Sequence, residues 1–246
     1  MIITDPWFYI VSVPAVLIYG IGKGGLGGAL GVISVPLMSW TISPTQAAAI
    51  LLPILCVMDF FAVKHHRHFA DTQVIKRMLP ASALGVGLAA LYLGSMTESS
   101  VKLIVGLLSV LFFFMHLFQR KQPKPGGTLS AWFWSTLCGF SSTAIHAGGG
   151  PASLYLLPLR LEKNTLIATM AVLFAIINLF KLVPFTLLGT FDSTNLLTSL
   201  VLMPLAPIGV KIGVWLLDKV PQQAIYQLCY GFLLLSGTKL LLEGIS

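Results

Sequence analysis

Charged and strongly polar side chains are rare in this chain, so their positions show where chemistry can be placed. Lys23 stands inside Gly20-Ile-Gly-Lys-Gly-Gly-Leu-Gly-Gly28, a stretch with six glycines. His146 opens a second glycine stretch, His146-Ala-Gly-Gly-Gly-Pro151. Both are flanked by long apolar runs, and both read as tips of helical segments. Glycine loosens an apolar helix and lets a backbone or a ligand come close. New helical arms starting near Gly28 and near Pro151 present unsatisfied N–H groups and positive dipole ends, which attract anions. Pro151 suits a first helical turn, where its missing N–H is not needed. Lys23 adds a full positive charge. A lysine at the centre of a membrane helix costs about 2.5–3.5 kcal/mol on insertion scales, so something must compensate it. An anionic substrate is one compensator. A permanent ion pair with Asp59, the carboxylate nearest in depth, is the other.

Asn178 and Lys181 lie in another apolar run, at positions that roughly match Asp59. The candidate anion-binding set is therefore Lys23, Gly24, Gly25, Gly27, Gly28, His146, Gly148, Gly149, Gly150, Pro151, Asn178 and Lys181, with Asp59 in a coupling or charge-pairing role. His146 is open to three roles: substrate ligand, proton carrier, or hydrogen bonding within its own tip. Lys181 is open to binding substrate, pairing with an acid or snorkelling.

Other motifs fail on context. Gly20-Ile-Gly22-Lys-Gly-Gly25 satisfies a dinucleotide pattern but lacks the strand–turn–helix setting. Gly24 follows Lys23 where a phosphate loop requires Ser or Thr. Gly139-Phe-Ser141 lacks the closing glycine of a nucleophile turn. Lys64-His-His-Arg-His68 reads as a membrane-anchoring loop rather than a metal tract. Cys56, Cys138 and Cys229 sit in apolar segments without ligand spacing and read as buried hydrophobes. No metal site and no cofactor is expected.

The elements that must hold these residues follow from composition. The 246 residues are 56% hydrophobic and 9% charged, against about 25% charged in a soluble domain. Several runs approach the roughly 20 apolar residues that cross a bilayer as a helix. They are long and continuous, unlike the short alternating strands of a membrane barrel. The class is an all-α polytopic membrane protein. The net charge of +7 reflects a cytoplasmic loop bias and implies no nucleic acid. No cleaved signal peptide is expected, since no basic residue precedes Lys23 and no small-residue cleavage site follows the first apolar run. Residues 7–21 and 29–40 are the limbs of a first hairpin. Residues 45–63, 78–94 and 100–118 are full spans. Residues 129–145 and 152–159 form a second hairpin, and 165–187, 195–217 and 223–242 three more spans.

That order repeats. Gly27-Gly28 followed by Val35-Pro36-Leu37 matches Gly149-Gly150 followed by Leu157-Pro158-Leu159, and Pro80 to Val86 matches Pro204 to Val210. Phe69-Ala-Asp71 resembles Phe191-Asp192. The shift is nearly constant at about 120 residues, which marks structural repeats. The division is residues 1–119, a basic linker at 120–128, and residues 129–246. Lys64, Arg67, Lys76 and Arg77 lie in a loop whose counterpart, Gly189 to Asn195, has no Lys or Arg. Arg160 and Lys163 lie in the counterpart of the uncharged Thr41–Pro44 loop. The positive-inside rule then inverts one repeat relative to the other and puts both termini outside. Each glycine hairpin returns to the face it entered from, as a re-entrant loop or as two short spans. The two tips are expected to meet near the midplane.

At these residues the chain resembles the TauE/SafE family, the sulfite/organosulfonate exporters grouped with toluene sulfonate uptake permeases. The resemblance rests on residues 20–37, which end in Val-Pro-Leu, on their echo from Gly139 to Leu157 with Gly-Gly-Gly-Pro, and on the duplicated architecture. It implies a secondary transporter, with a lean to export, of small oxyanions such as sulfite, sulfonates or carboxylates. It implies no enzyme and a place in the bacterial cytoplasmic (inner) membrane. The expected partners are a small anion and the lipid bilayer, and a homo-oligomer stays open. An anion channel and, more remotely, an intramembrane enzyme are the alternative functions.

Overall fold

A computed structural model describes residues 2–25, 29–118, 127–216, 219 and 222–245. Gly27, Gly28 and nearly all of the basic linker, including Arg120, Lys121 and Lys124, lie outside the described residues. Among the described residues the chain is helical, with no strand. The first half comprises α1 (Pro6–Gly25), a 3₁₀ segment (Ala29–Ile33), α2 (Ser34–Met38), α3 (Pro44–His66), α4 (Thr72–Ser95) and α5 (Glu98–Phe118). The second comprises α6 (Thr128–Ile145), α7 (Gly149–Leu156), α8 (Lys163–Leu187), α9 (Ser193–Leu202), α10 (Leu205–Leu216) and α11 (Gln222–Ile245).

Among the described residues five helices, α1, α3, α4, α5 and α8, are long and apolar enough to cross a membrane, and α9 with α10 passes the same test as a bent pair, the geometry of a broken span or a re-entrant loop. The expected single run 195–217 is bent by 43° between α9 and α10. Pro204 sits in this break and Pro207 follows within the next turn. Each proline removes an N–H from the helical ladder. Its counterpart Pro80 lies inside α4, which stays one helix. The run 223–242 is helical as expected.

Each glycine hairpin has a long first limb and a short return limb. α1 has 20 residues and α6 has 18, about 30 and 27 Å of helix. The return limbs are mixed: 3₁₀ then α2 in the first, α7 then a 3₁₀ turn at Leu157–Leu159 in the second.

Helices from the two halves of the chain pack on each other. α3 packs on α8 and α5 on α11, while α1 packs on α10 and α4 on α6. α3 and α8 run antiparallel: Thr45 shares a cavity with Leu188, and Asp59 shares a crevice with Ile167. α5 and α11 do so too, since Lys102 near the start of one pairs with Glu243 near the end of the other at 3.5 Å. An inverted repeat requires antiparallel partners of this kind.

Glycines bring α1 against α10. A Cβ on Gly20 would lie 2.9 Å from Gly209 Cα, and one on Gly213 would lie 2.9 Å from Ile21 Cα. Gly85 of α4 and Gly139 of α6 are pressed in the same way onto each other's helix backbones. Such packing is how membrane helices gain attraction, since lipid supplies no hydrophobic drive between them.

The matched aspartates do the same job twice. Asp71 caps α4 by accepting from the Gln73 and Val74 N–H groups, and Asp192 caps α9 by accepting from Asn195 N–H at 2.8 Å. Asp71 N–H donates to Thr169 near the start of α8. Asn195 meets Gln46 at the start of α3. The two caps therefore lie at opposite ends of the bundle. The exposed Lys64, Arg67, Lys76, Arg77, Arg160 and Lys163 cluster around the Asp71–Thr169 end.

Candidate functional site

Five side chains from four elements form one buried chain of polar contacts. Lys23 ends α1, Asp59 lies on α3, Asn178 and Lys181 lie one turn apart on α8, and His146 terminates α6. All five are at most 6% exposed. Lys23 Nζ forms an ion pair with Asp59 Oδ1. Asn178 Nδ2 donates to Asp59 Oδ2 at 2.6 Å, and Asn178 Oδ1 accepts from Lys181 Nζ at 2.9 Å. Lys181 Nζ also donates to Ser142 O at 2.8 Å and meets His146 Nδ1 at 2.5 Å. Ser142 Oγ is 3.2 Å away.

This network counts the protons. His146 Nε2 is 2.9 Å from Ala48 O. A carbonyl only accepts, so Nε2 carries a hydrogen, and one further hydrogen lies between Nδ1 and Lys181 Nζ. Asn178 is oriented with its NH₂ to the carboxylate and its oxygen to the amine. Lys181 Nζ has four partners, Ser142 O, Ser142 Oγ, Asn178 Oδ1 and His146 Nδ1. Ser142 O, Asn178 Oδ1 and Ala48 O each take a hydrogen and a fourth lies between Nζ and Nδ1, so the Lys181–His146 pair carries one positive charge, whichever nitrogen holds the proton.

Local backbone geometry holds His146 in this role. It adopts φ 54°, ψ 27°, the left-handed region that ends α6. Only Arg160 shares a positive φ among the described non-glycine residues. That conformation costs an L-residue roughly 1–2 kcal/mol, and three contacts fix it. Tyr19 Oη donates to the His146 carbonyl at 2.8 Å, and the ring nitrogens bond to Ala48 and Lys181. Strain retained at such a point fits a functional position. Gly31 makes the Tyr19 position available, because a Cβ there would strike the Tyr19 ring at its Cε2, 2.6 Å away.

The return arms that follow the two tips pack on each other, Ala29–Ile33 against α7. Gly24 O accepts from His66 Nε2 at 3.0 Å at one end of α3, and His146 bonds Ala48 near the other end. These contacts are separated by about 27 Å of helix at 1.5 Å per residue. The polar chain runs from the end of α1 to the end of α6. The tip glycines mainly serve packing. A Cβ on Gly24 would lie against the Val210 backbone, and one on Gly148 would lie 2.9 Å from Cys138 O. Gly150 has room, its nearest neighbour being Phe112 at 3.8 Å. Gly25 and Gly149 are buried at the helix ends, and Pro151 lies in the first turn of α7.

Three spaces flank the chain, one of them a groove of about 270 Å³ that reaches Asp59 between the exposed Phe60 and Leu179. A cavity of about 180 Å³ lies at the Thr45 end, with a floor of Ala48, Thr143, Ala144 and Phe185. The Phe185 ring stacks on His146, with centroids 6.2 Å apart, and separates it from this cavity. Beside Lys23 and Asp59, towards Ile167, Met170 and Phe174, only about 10 Å³ is open, scarcely room for one water. Among the described residues no cluster of His, Cys, Asp and Glu has the makings of a metal site. Sequence reasoning missed Ser142, Tyr19, His66 and Phe185. Nothing in their spacing sets them apart from other residues of apolar helices.

The fold and site define a polytopic α-helical membrane protein with a buried, charged centre. The family model for the sulfite exporter TauE/SafE matches residues 12–240. The chain belongs to the TauE/SafE family, a family of transporters and not of enzymes. Comparison with curated proteins and with solved structures gave no match.

Proposed function

We propose that the chain is a secondary transporter that exports small organic or sulfur oxyanions by alternating access. The observation that carries this reading is Lys181. It is fully buried, shares one positive charge with His146, and its other partners, a carbonyl, a hydroxyl and an amide oxygen, are all neutral. A buried charge without a counter-charge is costly, and an arriving anion would supply one. Lys23 does not share this condition, because Asp59 already neutralises it. On this reading the anion lodges at the Lys181–His146 end of the polar chain, and Lys23–Asp59 closes the opposite end.

Alternating access is favoured over a channel by the unequal spaces at the Thr45 end and towards Ile167, about 180 Å³ against about 10 Å³. The end bearing Lys64, Arg67, Lys76, Arg77, Arg160 and Lys163 is read as cytoplasmic, supported by the positive-inside rule. The cavity at the Thr45 end then faces outward, past Phe185. Export also agrees with the name of the family that the chain belongs to.

The test is anion flux in proteoliposomes over a panel of sulfite, sulfonates and carboxylates. Saturable exchange that Lys181→Met abolishes is the expected result. Ohmic conductance in planar bilayers would instead establish a channel. Absence of flux for every anion in the wild-type protein would remove the reading.

A further inference from the structure

We propose that the charge count of the buried polar chain sets the valence of the substrate, so that the protein carries monoanions and rejects dianions, with Asp59 as the residue that decides. This rests on the anion-transport reading above. The count comes from the hydrogen bonds. The Lys181–His146 pair carries one positive charge, because Ser142 O, Asn178 Oδ1 and Ala48 O each take a hydrogen and a fourth lies between the two side chains. Lys23 is the second cation and pairs with Asp59. Asp59 is the one buried carboxylate among the described residues. Two positive charges and one negative leave a single positive charge.

A monoanion brings that total to zero when the site closes around it. A dianion leaves a net negative charge sealed between apolar helices, where Coulomb terms are large because little water screens them. Asp59 is well placed to impose this limit without touching the substrate. Asn178 stands between it and Lys181, bonded to both. Asp59 therefore neutralises Lys23 at one end while leaving the Lys181 charge uncancelled at the other. The other nearby basic side chain, His66, belongs to the far end of α3 and bonds the Gly24 carbonyl outside this chain. Lys211 is exposed on α10.

The probes are methanesulfonate and sulfate, nearly equal in size and shape but carrying one and two charges at neutral pH. Their ³⁵S-labelled uptake is measured in proteoliposomes preloaded with the same anion. Wild-type protein is expected to exchange methanesulfonate at least tenfold faster than sulfate. Asp59→Asn raises the total to two positive charges and should raise the sulfate-to-methanesulfonate ratio at least tenfold. The double variant Lys23→Met, Asp59→Asn restores one positive charge and should return the ratio to within about threefold of wild type. Asn178→Asp removes the remaining charge with little change of shape and should lose methanesulfonate exchange. It also decides the matter if Asp59→Asn does not reconstitute. Equal exchange of the two probes by the wild-type protein overturns the valence limit while leaving anion transport standing. An unchanged ratio in reconstituted Asp59→Asn, or a double variant as sulfate-permissive as the single one, overturns the role of Asp59.

Discussion

Lys23 and Lys181 show how the same residue type takes opposite roles according to what lies within reach. Lys23 has a carboxylate partner and Lys181 has neutral acceptors. Lys23→Met strands Asp59 as an unpaired buried charge, and breaking one side of a buried pair costs about 3–5 kcal/mol. Unfolding in detergent should show that loss, and Lys23→Met, Asp59→Asn should recover most of it. Lys181→Met, by contrast, removes the proposed anion contact. Binding of a transported monoanion should weaken by about 1.5–3 kcal/mol, the range for a hydrogen bond to a charged group, as titration calorimetry would read directly. Lys181→Arg is expected to fail as a replacement. A planar guanidinium does not converge on Ser142 O, Asn178 Oδ1 and His146 Nδ1 as a single nitrogen does. Retention of wild-type affinity in Lys181→Met would return the anion to Lys23.

Among the elements, the hairpins are held by contacts between the halves rather than within them. α1 leans on α10 and α6 on α4 through glycines whose missing side chains admit the neighbouring backbone. Gly20→Ala would push a methyl to 2.9 Å from Gly209 Cα, an atom that has nowhere to move. Overpacking of that kind costs about 1–3 kcal/mol, so a lowered melting temperature is expected. Gly148 and Gly150 are two residues apart and should respond differently. Gly148→Ala meets Cys138 O at 2.9 Å and Phe174 at 2.7 Å and should destabilise. Gly150→Ala meets only Phe112 at 3.8 Å and should be neutral or gain about 0.5–1 kcal/mol, because alanine favours helix over glycine. Equal loss in both variants would show that the tip glycines answer to something other than the packing around them.

For the whole molecule, α3 runs antiparallel to α8 and α5 to α11, and opposite membrane orientation of the halves is the expectation that labelling tests. In a background without native cysteines, a cysteine at Arg67 should be reachable by an impermeant reagent only from the cytoplasmic side. One at Asp192 should be reachable only from outside. These residues flank the starts of α4 and α9, which sit at opposite ends of the bundle. Labelling of both from one side would overturn the inversion.

Much of this architecture follows from local chemistry. Long apolar runs can only be helices in lipid, because each must satisfy its own backbone groups. The boundaries of α3, α5, α6 and α8 lie within a few residues of the runs read from hydropathy. The Asp71 and Asp192 match was visible because a cap is set by its neighbours in sequence. The bend between α9 and α10 was less so: Pro80 and Pro204 look alike in the sequence, yet α4 continues through one and the other sits in a break. The polar residues Lys23, Asp59, His146, Asn178 and Lys181 also stood out singly, since an apolar segment makes each of them expensive. Their partners did not. Whether Lys23 faces an anion or Asp59 depends on how far α1 runs before it turns and on which face of α3 it meets. Those are distances between segments far apart in the chain, set by glycine-mediated contacts with the opposite half. Ser142, Tyr19 and Phe185 became part of the site for the same reason: position alone, decided by packing, gives an ordinary helical residue its contact with a buried charge.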